Sequence, residues 1–95
     1  MRYFLVRNEV SYGRGQYLMT EIEKDSFNLL RRKPPSSRLE EQWWFEAFDD
    51  DCFESKKKEA LRKVYRMRSG YVDIQLLDGT RYRSQVEHRE PMTGF

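Results

Sequence analysis

The chain holds one cysteine, one histidine and three prolines among 95 residues, and its mean hydropathy is low, at −0.96. A single thiol, Cys52, excludes the internal disulfide framework that staples small secreted domains. Neither Cys52 nor the lone His88 belongs to a set with metal-ligand spacing, and no histidine lies near Cys52 to activate it. No apolar run approaches the ~20 residues that span a bilayer. The apolar stretch at Tyr3–Val6 is too short for a signal-peptide core, and no small-residue cleavage site follows it. A cytoplasmic protein without membrane contact is the expectation.

Catalytic motifs are equally scarce. Asp49-Asp50-Asp51 lacks the spacing and glycine of a calcium loop, and Gly13-Arg14-Gly15 is too short for a phosphate loop. Glu54-Ser55-Lys56 matches the E-x-K fragment of metal-dependent nucleases, but it falls at a helix start with no hairpin aspartate upstream. The chain is expected not to be an enzyme and to need no cofactor, metal or catalytic residue. Internal repeats and low-complexity tracts are absent.

What is abundant is aromatic and charged. Aromatic residues make up 15% of the chain and charged residues 36%, against 38% hydrophobic, so a small core must be built largely from rings. Ninety-five residues fit one domain, 1–95, with the tail 89–95 expected to be flexible.

Residues 3–10 alternate as a half-buried strand, and about Gln16 to Ile22 follow as its hairpin partner across the turn Ser11–Gly15. Asp25 or Ser26 can cap a short helix bearing Phe27, Leu29 and Leu30, which Pro34-Pro35 ends. Ser37 and Glu40 have capping-box spacing, and Leu39, Trp43, Ala47 and Phe48 recur helically, which predicts a helix over 37–48. Ser55 to Arg68 reads as a third helix stopped by Gly70, although Val64 to Arg68 also alternates as a strand would. Tyr71–Leu77 and Thr80–Val86 form a hairpin through a two-residue type I′ turn at Asp78-Gly79. That hairpin resembles the strand-turn-strand of Sm-like and SH3-like barrels over a short stretch common to many folds, and it implies no function. The expected fold is α+β, in the order β-β-α-α-α-β-β. An antiparallel sheet from the two terminal hairpins would carry two or three helices on one face.

Two surfaces follow from the charge pattern. Trp44, Phe45, Glu46, Asp49, Asp50, Asp51 and Glu54 combine rings with uninterrupted acid; adjacent rings on a helix cannot all turn inward, so an exposed anchor for a protein partner or a self-dimer is expected. Lys56, Lys57, Lys58, Arg62, Lys63, Arg66 and Arg68, joined by Arg81 and Arg83, form the basic alternative, suited to DNA or RNA. The leading expectation is a non-enzymatic protein-binding module. Its style is that of phage or mobile-element accessory proteins, which inhibit a host defence or nucleic-acid-processing complex by docking on it.

Overall fold

A computed structural model describes residues 1–32, 36–37, 41–65 and 69–87. Strand β1 (Arg2–Ser11) and β2 (Arg14–Ile22) form the N-terminal hairpin, followed by α1 (Lys24–Leu30). A two-residue strand β3 (Ser36–Ser37) and β4 (Glu41–Phe48) come next, then one 3₁₀ turn (Asp50–Cys52) that runs into α2 (Phe53–Tyr65). Strands β5 (Ser69–Gln75) and β6 (Arg81–Glu87) close the sequence of elements. The sheet order is β3-β4-β1-β2-β5-β6, antiparallel throughout except for the parallel pair β2–β5. No helix among the described residues is long and apolar enough to cross a membrane.

The α+β class stands, and the two hairpins lie where their alternation predicts. The layout differs in three respects. Residues 41–48 form a central strand against β1, not a helix. Trp43, Trp44 and Phe45 are strong strand formers, and as a strand they serve both faces of the sheet, each of which is apolar here. Second, the sheet is mixed, because β4 and β2 both run antiparallel to β1, and β5 runs parallel to β2. Third, the helices lie on opposite faces. The connection β2–α1–β4 steps across β1 in one direction, and β4–α2–β5 steps back across β1 and β2 in the other. Crossovers of one hand that travel in opposite directions must use opposite faces.

Register assigns the faces. Phe4 and Val6 share theirs with Tyr17, Met19, Trp44, Phe48, Val72 and Ile74, and α2 covers this side with Phe53, Ala60 and Val64. Phe4, Val6, Val64 and Ile74 are fully enclosed, each worth roughly 1.5–3 kcal/mol of burial. Phe4 stacks on Phe48 with ring centroids 4.9 Å apart. On the other face α1 seats Phe27 against Tyr3, at 4.8 Å, and edge-on to Phe45, at 6.2 Å. Helix α1 starts one residue after Glu23, without a side-chain cap from Asp25 or Ser26. Gly70, expected to stop a helix, lies within β5 instead, and α2 ends at Tyr65. The Pro34-Pro35 break, Leu39, Glu40, Arg66–Arg68 and His88 with the tail lie outside the described residues.

The turns exchange roles relative to expectation. At the first hairpin Tyr12 and Gly13 both have positive φ, 51° and 76°, the signature of a two-residue type I′ turn. At the second, Gly79 N–H donates to Leu76 O at 3.0 Å and Leu76 N–H to Thr80 O at 2.8 Å. Of the turn residues only Gly79 has positive φ, so this is a three-residue loop closed by a left-handed glycine, not the I′ turn that Asp-Gly suggests.

Candidate functional site

Alternation along β4 separates the two expected anchor residues. Trp44 lies on the α2 face, half-buried against the core, and its indole N–H donates to Glu46 Oε1 at 2.8 Å. Lys63 Nζ sits 5.3 Å from the Trp44 ring centroid and 5.2 Å from that of Tyr17, while Lys56 Nζ reaches Glu46 Oε2 at 3.3 Å. Phe45 lies on the opposite face, edge-on to Phe27 and to Trp43. Trp44 and Phe45 therefore cannot share one contact surface, and Glu46 braces α2 to the sheet.

Of the five described basic residues on α2, three lie over aromatic rings of the core. Lys56 lies over the Phe48 ring at 5.6 Å, and Lys57 over Phe53 at 5.4 Å and Tyr82 at 4.2 Å. Such cation–π contacts contribute about 0.5–1 kcal/mol each when exposed and more when desolvated. Lys56 and Lys63 also pair with Glu59, and Lys57 with Glu54 at 3.3 Å. Only Lys58 and Arg62 stand outward on α2 without an ion pair among its described cations. Arg81 and Arg83 project from the face opposite α2. Arg81 grips Asp73 through two hydrogen bonds, one of 2.8 Å from Nε, and Arg83 lies 4.9 Å over the Tyr71 ring. The Arg81 guanidinium holds the Asp73 carboxyl below the usual carboxylate range. The described bases thus form two separate groups on opposite faces, not one continuous surface; Arg66 and Arg68 lie outside the described residues.

The acidic block fares differently. Asp49, Asp50 and Asp51 are exposed at the junction of β4 and α2, at one end of the sheet. The same end receives the start of β1, the finish of β2 and the β5–β6 turn. Arg2 Nε pairs with Asp50 Oδ1 at 2.9 Å and with Glu21 Oε2 at 3.9 Å, and the guanidinium lies 4.9 Å over the Phe53 ring. Glu21 Oε1 accepts the backbone N–H of Leu77 at 3.1 Å, tying the turn to β2. Asp78, in that turn, accepts the Thr80 N–H at 2.8 Å, and its bonds with Thr80 lower its pKa, with a smaller contribution from Arg2.

Glu21 and Asp78, far apart in sequence, thus join Asp49, Asp50, Asp51 and Glu54. Among the described residues these carboxylates form ion pairs only with Arg2 and Lys57. Two exposed apolar side chains, Met1 and Leu77, flank the group at relative exposures of 68% and 57%. Sequence reasoning found the aspartates but not Glu21, Leu77 or Asp78, because only the sheet topology brings these to the aspartates. No group of three or more His, Cys, Asp or Glu side chains among the described residues is arranged to hold a metal ion.

Comparison with protein families, with characterised proteins and with solved structures yields no match.

Proposed function

We propose that the chain is a non-enzymatic protein-binding module that docks a basic protein surface on the acidic end of its sheet. The supporting observation is the convergence of the exposed Asp49, Asp50, Asp51, Glu54 and Asp78 from separate segments, tied together through Arg2 and the largely buried Glu21, beside the exposed Met1 and Leu77. A sparingly neutralised acidic surface steers cationic partners and sets orientation. An exposed leucine beside it supplies apolar area that charge alone does not. Asp49, Asp50, Asp51 and Glu54 remain in the contact set; Trp44, Phe45 and Glu46 leave it.

The test is capture from native lysate on immobilised chain, with and without nuclease, comparing wild type with Asp49→Asn/Asp51→Asn/Leu77→Ser. These side chains are exposed, so the variant should fold. The partner retained by wild type should be nuclease-resistant, should elute with salt as screening shortens to about 3 Å near 1 M, and should be lost by the triple variant. Undiminished capture by that variant overturns the reading. Capture that nuclease abolishes, or that Lys58→Ala/Arg62→Ala removes, points instead to a nucleic-acid ligand.

A further inference from the structure

Strand β6 is the last of the sheet, bonded on one side to β5. Among the described residues nothing pairs with its outer side, and Arg81 through Gln85 are all exposed. The backbone parity follows from the turn. Leu76 and Thr80 face each other as a bonded pair, so bonding to β5 alternates onward through Tyr82 and Ser84. Arg81, Arg83, Gln85 and Glu87 therefore aim their backbone donors and acceptors outward. A row of open backbone groups is a template for another strand.

We propose that the occupant of this edge is β6 of a second copy, antiparallel, with a two-fold axis at Ser84. The strand's own sequence selects that register. Centring on Ser84 sets Arg81 opposite Glu87, Tyr82 opposite Val86, and Arg83 opposite Gln85. It is also the register in which all seven residues overlap. Because the outward-bonding residues are the odd-numbered ones, the neighbouring allowed registers shift the centre by a single residue. Centring on Arg83 sets that arginine against itself, and centring on Gln85 leaves Arg81 and Tyr82 without partners from the strand.

The cationic edge that would ordinarily block such pairing is already partly answered within each chain. Arg81 is held by Asp73, and Arg83 lies over Tyr71. The contact uses none of the acidic-end residues, so this proposal and the protein-binding reading can fail separately.

The register makes a chemical prediction. Ser84 falls opposite its own copy at a non-bonded position, where Cα atoms stand about 4.5 Å apart, inside the range that a disulfide bridges. The exposed Cys52 is first replaced by serine. In that background Ser84→Cys should convert to covalent dimer under mild oxidation, at least ~10-fold faster than Gln85→Cys.

Wild-type chain should show a concentration-dependent dimer by sedimentation equilibrium. Arg83→Pro should weaken it ~10-fold or more, because the N–H it removes points outward and the bonds to β5 remain. Gln85→Pro provides a second, equivalent removal should the first perturb folding. The acidic-end triple variant should dimerise as wild type does. A wild-type chain that stays monomeric to millimolar concentration, a dimer indifferent to both proline variants, or preferential cross-linking through Gln85→Cys overturns the proposal.

Discussion

Gly70 lies at a close approach of α2 to the sheet, and replacing it tests the parallel pairing directly. It lies opposite Gly15 in the β2–β5 pair. A methyl at Gly70 would stand 2.7 Å from the Gly15 carbonyl oxygen and 3.1 Å from Val64 Cβ. The first contact is with backbone, which cannot rotate away, and the second is with a stiff β-branched side chain on a helix. Either the strands separate locally or α2 lifts. Overpacking of this kind destabilises by roughly 1–3 kcal/mol, and the upper half applies because both neighbours are rigid. At about 4–8 °C per kcal/mol for a domain of this size, Gly70→Ala should lower Tm by on the order of 10 °C. The assay is thermal and urea unfolding followed by circular dichroism and tryptophan emission. Val64→Ala in the Gly70→Ala background should not restore the loss, since alanine keeps the Cβ atom that the new methyl meets and the contact with the Gly15 carbonyl is untouched. A Gly70→Ala protein as stable as wild type would refute the pairing of β2 with β5 under α2.

Tyr12 carries a bulky ring at φ 51° while 98% exposed, so Tyr12→Asn should stabilise by about 1 kcal/mol in urea unfolding; a loss of stability would show that the ring makes a contact of value. Asp73 is held ionised by Arg81, so its folded pKa lies below the unfolded value of about 3.9. Its stabilisation is present above that value and is lost as pH falls through the folded pKa; Arg81→Ala should flatten the acid limb of stability below about pH 4. Burial raises the Tyr17 phenol, with Glu46 and Glu59 adding to the effect, so its contribution holds below the unfolded pKa of about 10 and declines above it. Tyr17→Phe should remove that alkaline decline, as measured by urea midpoints between pH 9 and 11.

The terminal hairpins were legible because glycine-bearing turns bound their strands and because Phe4 and Val6, and Val72 and Ile74, recur with a period of two on the α2 face. Strand β4 was not, because its environment erases that signal. With Trp44 and Phe48 on the α2 face and Trp43 and Phe45 on the other, three consecutive rings replace alternation, while Trp43 and Ala47 mimic helical spacing. The parallel pairing of β2 with β5 has no local signature at all; it arises from how the two crossovers pack. Reading one strand as a helix hides that Trp44 and Phe45 lie on opposite faces, since the same alternation that packs Trp44 against the core turns Phe45 to the far side. Lysine positions on α2 read as a solvated or phosphate-facing stripe, yet their long stems cover Phe48, Phe53 and Trp44. The triple aspartate was visible, but not the company of Glu21 and Asp78, which are contributed by β2 and the β5–β6 turn.

The acidic end exists only if residues 41–48 run beside β1, because that pairing delivers Asp50 to Arg2. Nuclear Overhauser contacts across the backbone test this most directly. The structure predicts cross-strand contacts between Leu5 and Phe45 and between Arg7 and Trp43. Helical contacts three residues apart within 41–48, with no contact to β1, would contradict both the fold and the binding surface proposed upon it.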